Sequence, residues 1–247
     1  PAGLAMRLQR GGFLGWGVGI LTLGVVDGLF AQAMVDAAEG MPEQLTAVFG
    51  SEQLLQGYLG FLATFVGILT AAYVVFAMQT LRTEENSGRA DALLATPVRR
   101  SSWVGAHVGA VASGVVLITL ITGLATGIAV AAVTGSSDLL TDTLVAHLAV
   151  LPAPLSVIGI CAALYGLLPR AMALVGWGLV AVIAIVELFA ELLDLPEWIR
   201  MVSPLWHLAT VPTEEFEPVP FLLLLLASLL LIGLGLLGFR RRQVRVV

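Results

Sequence analysis

The chain has 247 residues, of which 58% are hydrophobic and 12% charged, with a mean hydropathy of +0.98 and a net charge of −5. A soluble domain carries about a quarter charged residues, so a water-facing globule of this size is excluded, and so is a disordered chain, which needs low hydrophobicity. Cys161 is the only cysteine and all twelve cations are arginine, which excludes an internal disulfide framework and every lysine-based chemistry, the phosphate-binding lysine of a P-loop included.

An all-α integral membrane protein remains. About 20 apolar residues carry a helix across a hydrocarbon core of about 30 Å. Runs at 12–31, 57–78, 104–133, 144–168, 171–190 and 219–239 predict six transmembrane helices, in a single domain over 1–247. None shows the period-two alternation of a barrel strand, and the first is too long for a signal-peptide core.

Gly11 just before the first run, and Gly15 and Gly19 within it, recur every fourth residue. Such a face lets another helix approach closely, either within the bundle or on a partner. Gly24 and Gly28, Gly105 and Gly109, and Gly123 and Gly127 repeat the spacing. After the second run, 79–103 forms a polar stretch in which Glu84, Glu85, Arg89 and Asp91 make one face of a short amphipathic helix, with Leu93 and Leu94 next and Thr96-Pro97 as its stop. It reads as a solvated loop or as a docking element for a soluble partner. The third run has 30 residues, about 45 Å as a straight helix, so it tilts or begins as an interfacial helix near Trp103. Pro152 and Pro154 predict a kink or break in the fourth run. Between the fifth and sixth runs, Leu192, Leu195, Trp198, Ile199 and Val202 give an apolar side to a long polar segment, and Trp198 and Trp206 suit a membrane interface.

With six spans, eleven of the twelve arginines fall on one side and only Arg200 on the other. The positive-inside rule makes the arginine-rich side cytoplasmic, with both termini inside. Counting loop acids as well, the inner face carries +8 and the outer face −11. Asp27 and Glu187 lie within spans, near the outer leaflet, where an ionisable group is costly. They either reach outer interfacial water or line a translocation path that favours cationic or amphipathic substrates. His107, His147 and His207 lack metal-ligand spacing and read as polar groups at interfaces; no metal site and no nucleic-acid partner is expected.

The run R-x-E-E-x-x-G-R-x-x-x-L-L-A-T-P-V-x-R, carried by Arg82, Glu84, Glu85, Gly88, Arg89, Leu93, Leu94, Ala95, Thr96, Pro97, Val98 and Arg100, resembles ABC-2 type permeases. It is most similar to the actinobacterial branch labelled exporters of polyketide antibiotics. Ser203, Pro204, Trp206, His207 and Leu208, and the C-terminal Gly238 to Arg242, resemble the same branch. The resemblance covers essentially the whole chain and corresponds to the second six-span half of longer permeases. It implies an exporter half that moves hydrophobic or amphipathic compounds by alternating access. It implies that 79–103 is a coupling loop on a separate ATPase dimer, with Arg82, Glu84, Glu85, Gly88, Arg89, Leu93, Leu94, Thr96, Pro97 and Arg100 as coupling residues. ATP and Mg would sit on that partner, with no cofactor on this chain. A second six-span half, in the same longer chain or as a second copy, is a further partner, beside the lipid bilayer and the transported molecule. Met6 to Arg10 would end an elbow helix, and 191–218 would form an outer hairpin of short helices. From composition and topology alone, an ion-coupled carrier and a non-transport membrane scaffold stay open.

Overall fold

The computed structural model describes residues 2–39, 51–89 and 99–241, and these contain helices without strands. In chain order they are α1 (Ala2–Leu29), α2 (Ala31–Glu39), α3 (Ser51–Asn86), α4 (Arg100–Thr134), α5 (Asp138–Ala149), α6 (Pro152–Leu167), α7 (Met172–Phe189), α8 (Glu197–Arg200) and α9 (Pro218–Arg241), with a 3-10 turn at Leu205–His207. Six stretches of the described residues are long and apolar enough to cross a membrane: Ala2–Ala37, Leu54–Asn86, Arg100–Thr134, Asp138–Leu167, Met172–Phe189 and Pro218–Arg241. Each predicted span coincides with one of them. Four lie wholly inside, while 144–168 overruns Asp138–Leu167 by a single residue and 171–190 overruns Met172–Phe189 by a single residue at each end.

The differences lie at the ends, because leaving the apolar run does not end a helix. Met6 to Arg10, expected as the end of a separate elbow, are continuous with α1. The helix of the first stretch is interrupted at Phe30, where the Asp27 carbonyl accepts the Phe30 N–H at 3.0 Å and the Tyr58 hydroxyl at 2.7 Å. A side chain that takes a carbonyl in this way interrupts the i→i−4 ladder. The polar stretch after the second span also begins as helix. Gln79 to Asn86, Glu84 and Glu85 included, are the last two turns of α3, and the rest of the expected amphipathic helix from Asp91 onward lies outside the described residues. α4 runs 35 residues as one helix and ends where Gly135 takes φ 72° and donates its N–H to the Ala131 carbonyl, a left-handed glycine stop. Trp103, expected where an interfacial helix begins, is buried at 2% exposure.

The proline break appears as predicted. The fourth span is α5 and α6, separated at Val150–Leu151, with Pro152 in the first turn of α6. That position needs no N–H and favours the proline φ. Pro152, Ala153 and Pro154 are buried, so protein covers the irregular backbone, as a membrane environment requires.

α9 packs along α6 on a seam of small residues. A Cβ on Gly159 would stand 2.9 Å from the Ser228 carbonyl, and one on Gly166 would collide with the Gly235 backbone. Elsewhere α9 exposes Leu222, Leu223, Leu226, Leu229, Leu230, Leu234 and Leu237, the surface expected of a helix bathed in lipid.

Candidate functional site

The arginine-rich end holds six of the predicted coupling residues, and the structure gives Arg82, Glu84, Glu85, Gly88 and Arg89 a local reason. α3 ends at Asn86 and is followed by Gly88, whose φ of 72° is the left-handed conformation that glycine adopts without a Cβ penalty. Arg89, the next residue, grips Glu84 with two donors, Nε to Oε2 at 2.9 Å and Nη2 to Oε1 at 2.6 Å. This bidentate fork is the strongest geometry for the pair, and the hydrogen bond to Glu84 holds the Arg89 guanidinium above its usual pKa. Ser87 Oγ adds a bond to the Glu84 carbonyl at 3.1 Å. The E-E-x-x-G-R run is therefore a helix stop with its own clasp.

Glu84 is 7% exposed, so the acid expected on a docking face is turned inward. Glu85 accepts a hydrogen bond at 3.0 Å from the hydroxyl of Tyr165, 80 residues away near the end of α6. Arg82 donates through Nη1 to the Pro169 carbonyl in the α6–α7 turn. Arg99 and Arg100 are exposed at the start of α4. Leu93, Leu94, Thr96 and Pro97 lie outside the described residues. Beneath this cluster Trp103, Tyr165 and Phe239 form an aromatic block from α4, α6 and α9, with centroids 5.3 to 6.4 Å apart. Gln9 of α1 donates to the Ala77 carbonyl of α3 at 3.0 Å, which brings the start of α1 to the same end.

Asp27 and Glu187 sit at the opposite end but have separate neighbours. Asp27 is half-buried beside Tyr58 of α3. Glu187 is also half-buried and accepts the Ser203 hydroxyl at 2.5 Å, while Ser203 Oγ accepts the Leu205 N–H at 3.2 Å. Glu187 thus anchors the Ser203–Leu208 element to α7. Arg200 organises the rest of the outer segment. It donates to the Leu195 carbonyl at 2.8 Å, the Glu191 carboxylate at 2.5 Å and the Ala190 carbonyl at 3.3 Å, and lies 5.6 Å from the centroid of the Trp206 ring. Short helical turns occur here as expected, with Trp198 at 70% and Trp206 at 42% exposure.

The glycine repeats separate into two kinds. A Cβ on Gly24 would meet Thr122 and Thr126, and one on Gly123 would meet His147 at 2.7 Å, so these glycines pack inside the bundle. Around Gly11, Gly15 and Gly19 a Cβ would meet nothing within 4 Å. They line, with Trp16, Ile20, Leu23, Leu69 and Phe76, a groove of about 470 Å³ between α1 and α3.

His107 and His147 are interior residues and not interfacial ones. Each places Nδ1 on the carbonyl one turn back, Trp103 at 3.0 Å and Thr143 at 2.8 Å. A carbonyl only accepts, so Nδ1 carries the proton in both rings. Cys161 is fully buried. Among the described residues no group of three or more His, Cys, Asp or Glu is placed to hold a metal ion. Tyr165 and the Ser203 partner of Glu187 escaped the sequence reading. The available signals were a rare tyrosine (three in the chain) at the arginine-rich end of a span, and a serine inside a recognisable motif.

A family model described as the C-terminal domain of the multidrug efflux system permease Rv1217c matches residues 1–240. The multidrug efflux system permease protein Rv1217c of Mycobacterium tuberculosis is 34% identical over 249 residues, an alignment that covers 99% of this chain and 45% of that protein. The chain spans less than half the length of this curated relative. It belongs to the family of that permease's C-terminal domain, as a chain of six membrane-span-capable helices.

Proposed function

We propose that this chain is one six-span half of the permease of an ATP-driven exporter in a prokaryotic plasma membrane, moving hydrophobic or amphipathic, drug-like compounds outward by alternating access. The observation that carries this reading is the 34% identity, over 99% of the chain, to a protein named as a multidrug efflux permease. The arginine-rich end is cytoplasmic, on the positive-inside rule. There the 79–103 segment docks on an ATPase dimer, which carries ATP and Mg because this chain has no lysine for a P-loop. The clasp at Glu84, Gly88 and Arg89 fixes the direction in which the segment leaves α3, and Arg99 and Arg100 stand where it re-enters the bundle. A second six-span half completes the permease, which accords with a relative about twice this length. It meets this half along the open Gly11, Gly15 and Gly19 face. The groove beside that face then lies at the junction, where a lipophilic substrate would find apolar walls.

The docking claim is tested by reversing Arg89. Arg89→Glu sets two carboxylates against each other in place of the fork and redirects the segment. Pull-down of the partner ATPase with the permease is expected to fall by about ten-fold, the scale of one broken charge pair, while the permease still reaches the membrane. Undiminished ATPase recovery with Arg89→Glu would remove the segment from the docking site.

A further inference from the structure

The contacts under the 79–103 segment single out a residue that the segment itself does not contain. Tyr165 is fully buried one half-turn before the end of α6. Its ring stacks on Phe239 of α9 at 5.3 Å with 23° between planes, and tilts on Trp103 of α4 at 6.4 Å. Its hydroxyl donates to Glu85 on α3 at 3.0 Å. One side chain therefore touches the helix that enters the segment, the helix that leaves it, and the α6–α9 pair beside them. Three residues before Glu85, on the same face of α3, Arg82 holds the Pro169 carbonyl and so ties α3 to the turn that begins α7. Next to Tyr165, Gly166 seats its backbone directly against Gly235, one turn before Phe239, so α6 and α9 are closely joined there.

We propose that Tyr165 is a positioning residue for coupling, transmitting movement of the 79–103 segment, through its hydrogen bond to Glu85, to α6 and α9. This rests on the reading of that segment as the ATPase dock. The physical basis is the division of labour within one side chain. The aromatic block supplies non-directional packing that survives small sliding. The hydroxyl-to-carboxylate bond is short-range, directional and charge-assisted, so it fixes the register of α3 against α6. Without it the helices remain packed but α3 slips when the dock moves, and the movement is not passed on.

Tyr165→Phe tests this, since it keeps the ring and its stack and removes only the hydroxyl. The assembled permease and ATPase are reconstituted in liposomes, and ATP hydrolysis and transport of an amphipathic fluorescent dye are measured together. ATPase recovery and basal hydrolysis are expected to match the parent. Dye moved per ATP is expected to fall by about ten-fold, the scale of coupling between residues in direct contact. Glu85→Ala should fall equally, the double variant no further, and Glu85→Gln, which keeps an acceptor oxygen, should retain most of the ratio. A melting curve of each variant checks that the block is intact, and Glu85→Ala probes the same bond from α3 should Tyr165→Phe fold poorly. Parental dye per ATP in Tyr165→Phe, or losses that multiply in the double variant, overturns the proposal while the exporter reading stands. A parent complex that hydrolyses ATP without moving dye overturns both.

Discussion

Gly235→Val is expected to lose at least about 3 kcal/mol of stability, the upper range for overpacking. α9 turns most of its surface to lipid, and its buried residues are Ser228, Gly235 and Phe239. Lipid tails are as apolar as leucine, so no hydrophobic force drives such a helix onto the bundle, and close packing must hold it. At Gly235 that packing is backbone against backbone, because an added Cβ would overlap the Ala162 carbonyl. Neither side of the contact can rotate away, since both belong to helix ladders. The two helices must separate, and the dispersion contacts of the whole seam weaken with them. The thermal unfolding transition of the detergent-solubilised permease checks this, with Gly233→Val as control, because a Cβ on Gly233 meets nothing within 4 Å. Equal melting temperatures for the two variants would show that the seam does not hold α9.

Leucine at Gly15 and Gly19 should have the opposite signature, with folding kept and assembly lost. Both positions are exposed, and an added Cβ meets nothing. Side chains there cost this half nothing, yet they fill the face on which a second half can bring its backbone close. The yield of a cross-link between the two halves is expected to drop by about ten-fold or more, corresponding to roughly 1.4 kcal/mol, with the melting transition of the permease retained. An unchanged cross-link yield would assign that face to lipid and leave the junction between halves elsewhere.

The two glycine predictions show where a sequence stops informing. Gly11, Gly15 and Gly19 share their four-residue spacing with Gly24 and Gly28, and with Gly123 and Gly127. The first set is open and the other two are packed. Spacing identifies a smooth face, but which neighbour covers it depends on contacts distant in the chain. The six spans were legible because run length and lack of charge are local properties, and the break at Val150–Leu151 because a proline acts on its own turn. Helix ends were less so. Gln79 to Asn86 leave the apolar run, yet they contain good helix formers and continue α3 until Gly88 supplies a left-handed residue. The motif around Glu84 and Arg89 was visible, but its inward-turned fork was not. Glu84 and Glu85 read as an exposed acidic face, and the partners that turn them inward include a tyrosine three helices along the chain. Likewise the placement of Glu187 within a span was readable, whereas its hydrogen bond to Ser203 depended on the outer segment folding back over α7.

The central claim, that this half serves an ATP-driven outward pump, is tested most directly with inside-out membrane vesicles containing the assembled permease and its ATPase. The account predicts that an amphipathic fluorescent dye accumulates in the vesicles when ATP and Mg are added. Accumulation should persist when the proton and sodium gradients are collapsed, and stop when the ATPase carries a substitution in its P-loop lysine. Accumulation that follows an ion gradient and ignores ATP would contradict it and make the protein an ion-coupled carrier.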